Sequence, residues 1–433
     1  MTRTKLFSAT LVPVLAAAVF AGAFLALRSG RDAAPRAEGA ASPLTTDGRI
    51  ALAQEAVRQR PDDDGALAAL AGAALDKVRE SGDPSWYSRA DEASRRALAL
   101  APGNPVALDA AASLAASRHD FRRALALARR SEASAPDRLA PLGIAADALI
   151  ELGQYRKGFA AVEHRLDLRP DLVSYSRASY TEELMGDRAI ATSLMALAVD
   201  AGRPGSEGRA WTQVQLGLLR LGSGDLAGAR REMRTALADR PGDARALAGL
   251  ARVDAAAGDL GAAAAGYQAA LDRLPLPEYP AALAEIHLAQ GRPAAARQDL
   301  ALVRAMQRLL AANGVRVDLD LSLISADFSR PDAAAVARAR AARAARPGVV
   351  GDDVLGWVLT RAGRCDEGQR LAQRSLRLGT RDALMLFHAG MAARCAGDRV
   401  EAAARLREAL LLNPRFSVRW APVARRTLAE VAR

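Results

Sequence analysis

Side-chain catalysis needs histidines, cysteines or carboxylates brought together at set spacings, and this chain supplies few. Its four histidines, His119, His164, His287 and His388, are never paired at i and i+4 and never adjoin a cysteine. A helix-borne zinc site therefore has no candidate. None of the three lysines, Lys5, Lys77 and Lys157, follows a glycine, so a phosphate loop ending in Gly-Lys is excluded. No Gly-x-Ser-x-Gly elbow occurs, which leaves no α/β-hydrolase serine. Asp62, Asp63 and Asp64 follow Pro61. Carboxylates there complement a helix dipole and cap its free amides, and the loop lacks the further oxygens that calcium requires. The two cysteines, Cys365 and Cys395, are too few for a structural zinc. These residues call for no cofactor, no metal and no catalytic set.

The elements that carry them are set by prolines. Pro102, Pro136, Pro170 and Pro204 recur every 34 residues, and after a slip of three the beat resumes at Pro241 and Pro275. A fixed period of this length marks an array of helical hairpins. Each hairpin cannot bury its apolar face alone, and stacked neighbours bury it for one another. Half of the 433 residues are hydrophobic but only 4% are aromatic. Alanine dominates, as suits close helix–helix contact and high helix propensity. The net charge of +11 comes almost wholly from arginine. The arginines alternate with Asp and Glu, as in REMRTALADR at 231–240, instead of forming a basic tail, which argues against a nucleic-acid partner.

Residues 6–27 carry no charge. As a helix they span about 33 Å, enough for a bilayer core. Arg3 and Lys5 precede them and Arg28 and Arg31 follow. Residues 1–28 therefore read as a signal anchor, or as a signal peptide cut near Ala21-Gly22-Ala23. The short basic lead-in favours a cytoplasmic amino terminus and an exported body. Residues 29–46 read as a flexible tether, 47–63 as an N-terminal capping helix, 64–414 as about ten repeats and 415–433 as a C-terminal cap. The segment at 315–323, VRVDLDLSL, alternates like a strand. Its place in the period nevertheless calls for a first helix over 317–328, after a lengthened second helix at 294–312.

The repeat resembles the tetratricopeptide family. Leu216-Gly217, Gly224, Ala229, Ala236 and Pro241 take the family's positions 7, 8, 15, 20, 27 and 32. Leu247, Leu250, Gly258, Ala263, Tyr267, Ala270 and Pro275 do so again, as do Leu386, Ala389-Gly390, Gly397, Ala402, Ala409 and Pro414. Other units depart, with Gly158 and Arg165 or Thr192 and Val199 at positions 20 and 27. The resemblance implies an all-α fold, a right-handed α-solenoid superhelix, and a concave wall lined by first helices. Mapped onto this chain, that wall holds Trp211, Leu218, Arg245, Arg252, Glu278, Glu285, Asp320, Asp353, Trp357, Phe387 and Arg394. Aromatic and arginine groups among charges suit a protein or peptide partner. Trp211 and Trp357 equally suit packing between repeats. Cys365 and Cys395 fall at one edge of adjacent units, and in an exported body they would form a disulfide. The function expected is a non-enzymatic, membrane-anchored scaffold with its repeats outside the cytoplasm and no small-molecule substrate. The alternatives are an accessory subunit or enzyme of cell-envelope polymer metabolism, or a cytoplasm-facing scaffold.

Overall fold

The structure, a computed structural model, describes residues 45–316 and 318–433. The expected anchor at 6–27, and all but the last two residues of the tether, lie outside the described residues. Twenty-two helices and no strand occur among the residues described. A single helix, α1 (Thr46–Gln59), leads the array. Hairpins follow as α2 (Asp64–Ser81) with α3 (Ser85–Leu100), α4 (Pro105–Ser117) with α5 (Phe121–Ser134), and α6 (Leu139–Glu151) with α7 (Tyr155–Leu168). Then come α8 (Leu172–Met185) with α9 (Arg188–Asp200), α10 (Glu207–Gly222) with α11 (Leu226–Asp239), and α12 (Ala244–Ala257) with α13 (Leu260–Arg273). The last four are α14 (Glu278–Ala289) with α15 (Pro293–Ala312), α16 (Asp318–Phe328) with α17 (Ala333–Ala345), α18 (Val349–Arg361) with α19 (Cys365–Ser375), and α20 (Ala383–Cys395) with α21 (Arg399–Leu412). The closing helix is α22 (Trp420–Val431).

Local chemistry accounts for each hairpin. Aspartates start the helices: Asp63, Asp225, Asp259 and Asp398 each accept a hydrogen bond from an amide of the first turn, satisfying a donor that the helix itself cannot. Prolines stop the second helices because they lack an amide donor. Small residues set the helix spacing. Ala229, Ala236, Ala263, Ala270, Ala402 and Ala409 are wholly buried. A Cβ on Gly217 would come within 2.7 Å of the Met233 methyl, and one on Gly390 within 2.7 Å of Leu406. The departures are absorbed locally. At the loose position 27, the Arg165 guanidinium donates to Asp171 at 3.0 Å and to Ser174. The alternating segment at 315–323 contains no strand, and from Asp318 it is helix α16. Its apolar groups Leu319, Leu323 and Ala326 pack into the core beside α17 and α18.

At α15, the longest helix described, the side-by-side stacking is interrupted. α15 packs along α14 but not along α16 as other second helices pack along the next first helix. From there the coil returns over its own start. The Arg118 Nε donates to the Asn313 carbonyl at 2.9 Å, and the Arg316 amide donates to the Arg118 carbonyl at 3.1 Å. Arg346 donates twice to Glu151, at 2.9 and 2.7 Å. The Thr380 hydroxyl donates to the Leu184 carbonyl at 2.5 Å, and the Asn413 amide donates to the Leu221 carbonyl at 3.1 Å. These partners stand 192 to 196 residues apart. One coil of the superhelix therefore takes about that many residues, and the second coil lies edge to edge on the first. The accepting carbonyls of Leu184 and Leu221 belong to the last turns of α8 and α10. Such carbonyls have no partner within their own helix; the second coil supplies one to Leu184 and adds a second donor to Leu221, which also accepts the Gly224 amide at 2.9 Å.

Candidate interaction surface

The expected concave-wall residues fall into two groups. Trp211, Asp353, Trp357 and Phe387 are buried, none more than 5% exposed. Trp211 lies in a core shared between the two coils, with Tyr180 and Leu216 of the first and Val349 and Met385 of the second. Leu218 is half-buried between smaller clusters. The other group meets water. Arg252 is half-exposed and Glu278 exposed. Arg245 reaches the Arg79 carbonyl at 3.4 Å and Glu207 at 3.9 Å. Asp320 is half-buried and acts electrostatically on His119 and Arg346. Glu285 accepts from the Ser417 hydroxyl at 2.6 Å and the Arg419 amide at 2.8 Å, so the connection into α22 touches this wall. Arg394 is exposed and pairs with Glu430 at 3.0 Å.

Trp357 and Phe387 belong to an aromatic knot built around α22. Trp357 stacks on His388 with ring centres 4.4 Å apart, and Trp420 stands edge-on to Trp357 at 5.5 Å. The two indole nitrogens donate to one oxygen of Asp327, at 2.9 and 3.1 Å. The Arg361 guanidinium lies 5.7 Å from the Trp357 ring and 5.6 Å from the Trp420 ring. Burial pushes the Asp327 carboxyl up to about 6, although His388 and the two indoles favour its charge. Burial opposes the charged form of His388, but Asp353, 3.1 Å away, together with Asp327 and Asp382 outweighs it and the imidazole pKa is raised. Sequence reading missed the central part of Trp420. It sits in the terminal cap, 93 residues from Asp327, and no local pattern links the two.

Cys365 and Cys395 are joined by a disulfide, with Cα atoms 5.1 Å apart. It ties the start of α19 to the end of α20. Among the described residues no group of three or more His, Cys, Asp or Glu side chains is arranged to hold a metal. No described helix is long and apolar enough to cross a membrane. A crevice between the coils, lined by Glu151, Tyr155, Tyr180, Arg346 and Val349, has room for about one water molecule.

No protein-family model matches the sequence, and no curated protein matches it. Solved structures similar in shape include the hetero-tetramer Cut9–Hcn1 of the APC/C, at 18% identity and a TM-score of 0.39 over 90% of this chain and 84% of that one. A tetratricopeptide repeat protein from Parabacteroides merdae is 16% identical with a TM-score of 0.41, over 55% of this chain and 97% of that one. YrrB, described as a TPR protein with an unusual peptide-binding site, is 16% identical with a TM-score of 0.28, over 45% of this chain and 95% of its own. None of these likenesses is close enough to transfer a partner or an activity. The 34-residue beat, the ten hairpins among the described residues and the buried small residues at the helix contacts make this chain an α-solenoid of helical hairpins.

Proposed function

We propose that this protein is a non-enzymatic scaffold that holds a protein or peptide partner, anchored to the membrane by residues 6–27 and displayed outside the cytoplasm. The observation that carries the binding reading is the divided inner wall. Its aromatic groups are committed to the chain's own core, whereas Arg245, Arg252, Glu285 and Asp320 keep charge within reach of water. A wall of mixed charge suits a polar peptide segment more than an apolar helix. The disulfide supports an oxidising compartment, and the uncharged stretch at 6–27 supports an anchor.

Crosslinking of the full chain in its native membrane, followed by affinity capture, tests the binding reading. Arg252→Glu is expected to lose the captured partner while keeping the wild-type melting temperature. Undiminished capture by that variant would remove the inner wall from consideration. A reporter fused to the carboxyl terminus tests the compartment, and activity only of a cytoplasmic reporter would reverse the orientation.

A further inference from the structure

The second helix of each hairpin packs on two neighbours, except at the break in the stack. There α15 leaves one face uncovered along its length. That face has a defined composition. Leu302 and Leu309 are 40% and 54% exposed, and Ala301 and Ala305 are exposed beside them. Arg297, Arg304 and Arg308 are exposed along the flank. The only carboxylate on the helix is Asp299, and it is turned inward to His287 at 2.7 Å. Many guanidiniums among the described residues have a carboxylate or carbonyl partner. Among the described residues these three have no ion pair. An apolar stripe flanked by unpaired arginines, with no exposed acid, is the pattern of a helix that lies in a membrane interface.

The position of α15 agrees with that pattern. The described chain starts at Thr45, where Asp47 pairs with Lys77 near the end of α2. The Ser88 hydroxyl, in the first turn of α3, bonds the Asn313 side chain immediately after α15, at 3.2 Å. The start of the chain and the end of α15 thus share one edge of the molecule. Covalent geometry gives residues 28–44 a reach of up to about 60 Å, so an anchored chain allows this edge to meet the bilayer. We propose that the Leu302–Leu309 face of α15 docks on the surface of an anionic phospholipid bilayer, with Arg297, Arg304 and Arg308 against the headgroup phosphates. The inference rests on the membrane anchorage proposed above.

Both existing cysteines are in the disulfide, so a Cys introduced by Ala305→Cys is the single free thiol. The full-length variant carries an environment-sensitive dye there and is reconstituted into vesicles of neutral lipid alone or with added phosphatidylserine. Gln268→Cys, exposed on α13, is the control. The expected result is a blue shift at position 305, absent at 268, that appears only with phosphatidylserine and fades with salt. Replacing Arg304 and Arg308 by Gln should lower the docked fraction about fivefold per arginine. Protein that floats with the vesicles yet shows no shift at 305 overturns the docking and leaves the anchor intact. Protein that does not float overturns the anchor, and the docking with it. A shift that appears without lipid and grows with protein concentration would assign the face to a second copy of this chain and overturn the proposal as well.

Discussion

Asp382 caps α20 by accepting the Met385 amide at 2.6 Å, and it is wholly buried. Burial pushes its carboxyl up to about 7, and Asp353 adds to the shift. The folded protein therefore holds a proton on this group that the unfolded chain has released. Stability falls as pH rises from the ordinary carboxylate range through about 7. Glu183, raised mainly by burial, and His388, raised by Asp353 against its burial, act in the same sense. His119, lowered by burial and by Arg346, acts oppositely on the acid side. The melting temperature is expected to be higher at pH 6 than at pH 8. Asp382→Asn, which keeps the cap, should flatten part of that slope, and an unchanged slope would acquit this residue. Arg346 and Glu151 offer a sharper case. Both are buried, and removal of one strands the other. Arg346→Ala is expected to cost about 3–5 kcal/mol. In chemical denaturation, Arg346→Met combined with Glu151→Leu should recover most of that loss.

Among the elements, the hairpins were legible because each is written locally. An Asp cap, a glycine turn, alanines at two positions and a closing proline all fall within one period, and the looser units keep enough of them. Helix α16 shows how the local signals rank. Its alternating apolar groups argue for a strand, yet the hairpin slot between α15 and α17 prevails because a lone strand in a helical stack would have no partner for its amides. The disulfide acts at this same scale. It closes a loop of 30 residues around α19 and α20, and its reduction should cost about 3 kcal/mol. Hydrogen exchange under reducing conditions should quicken in the last hairpins and in α7, α8 and α10, on which they rest, with α2 to α4 unaffected, because an array couples only units that touch. Uniform quickening along the chain would contradict that locality.

For the molecule as a whole, the contacts between the coils were not legible. They join residues nearly two hundred positions apart, largely through backbone carbonyls that every residue type carries. The burial of Trp211 followed from them. Position in the period marks Trp357 and Phe387 as inward-facing, but only the return of α22 decides that they meet Trp420 and not a ligand. Gly186 tests the closure. Its φ of +82° favours glycine, and a Cβ there would collide with the Gly379 carbonyl of the overlying coil. Gly224 has a similar φ of +76° with open space around its Cβ position. Gly186→Ala should expand the radius of gyration in small-angle scattering at constant helix content, whereas Gly224→Ala should cost only its local strain, about 1 kcal/mol. Equal scattering curves for the two variants would mean that the close approach at Gly186 does not hold the coils together.

The stacked coils also have a mechanical meaning. A plain solenoid is a spring whose stiffness comes from its helices alone. Here Arg118, Arg346, Thr380 and Asn413 act as staples set one hairpin apart, so tension between the two termini loads them one after another before any hairpin opens. The molecule should resist small pulls as a rigid cylinder and then lengthen by unzipping along its seam. It would thereby uncover an inner lining that the relaxed form keeps to itself.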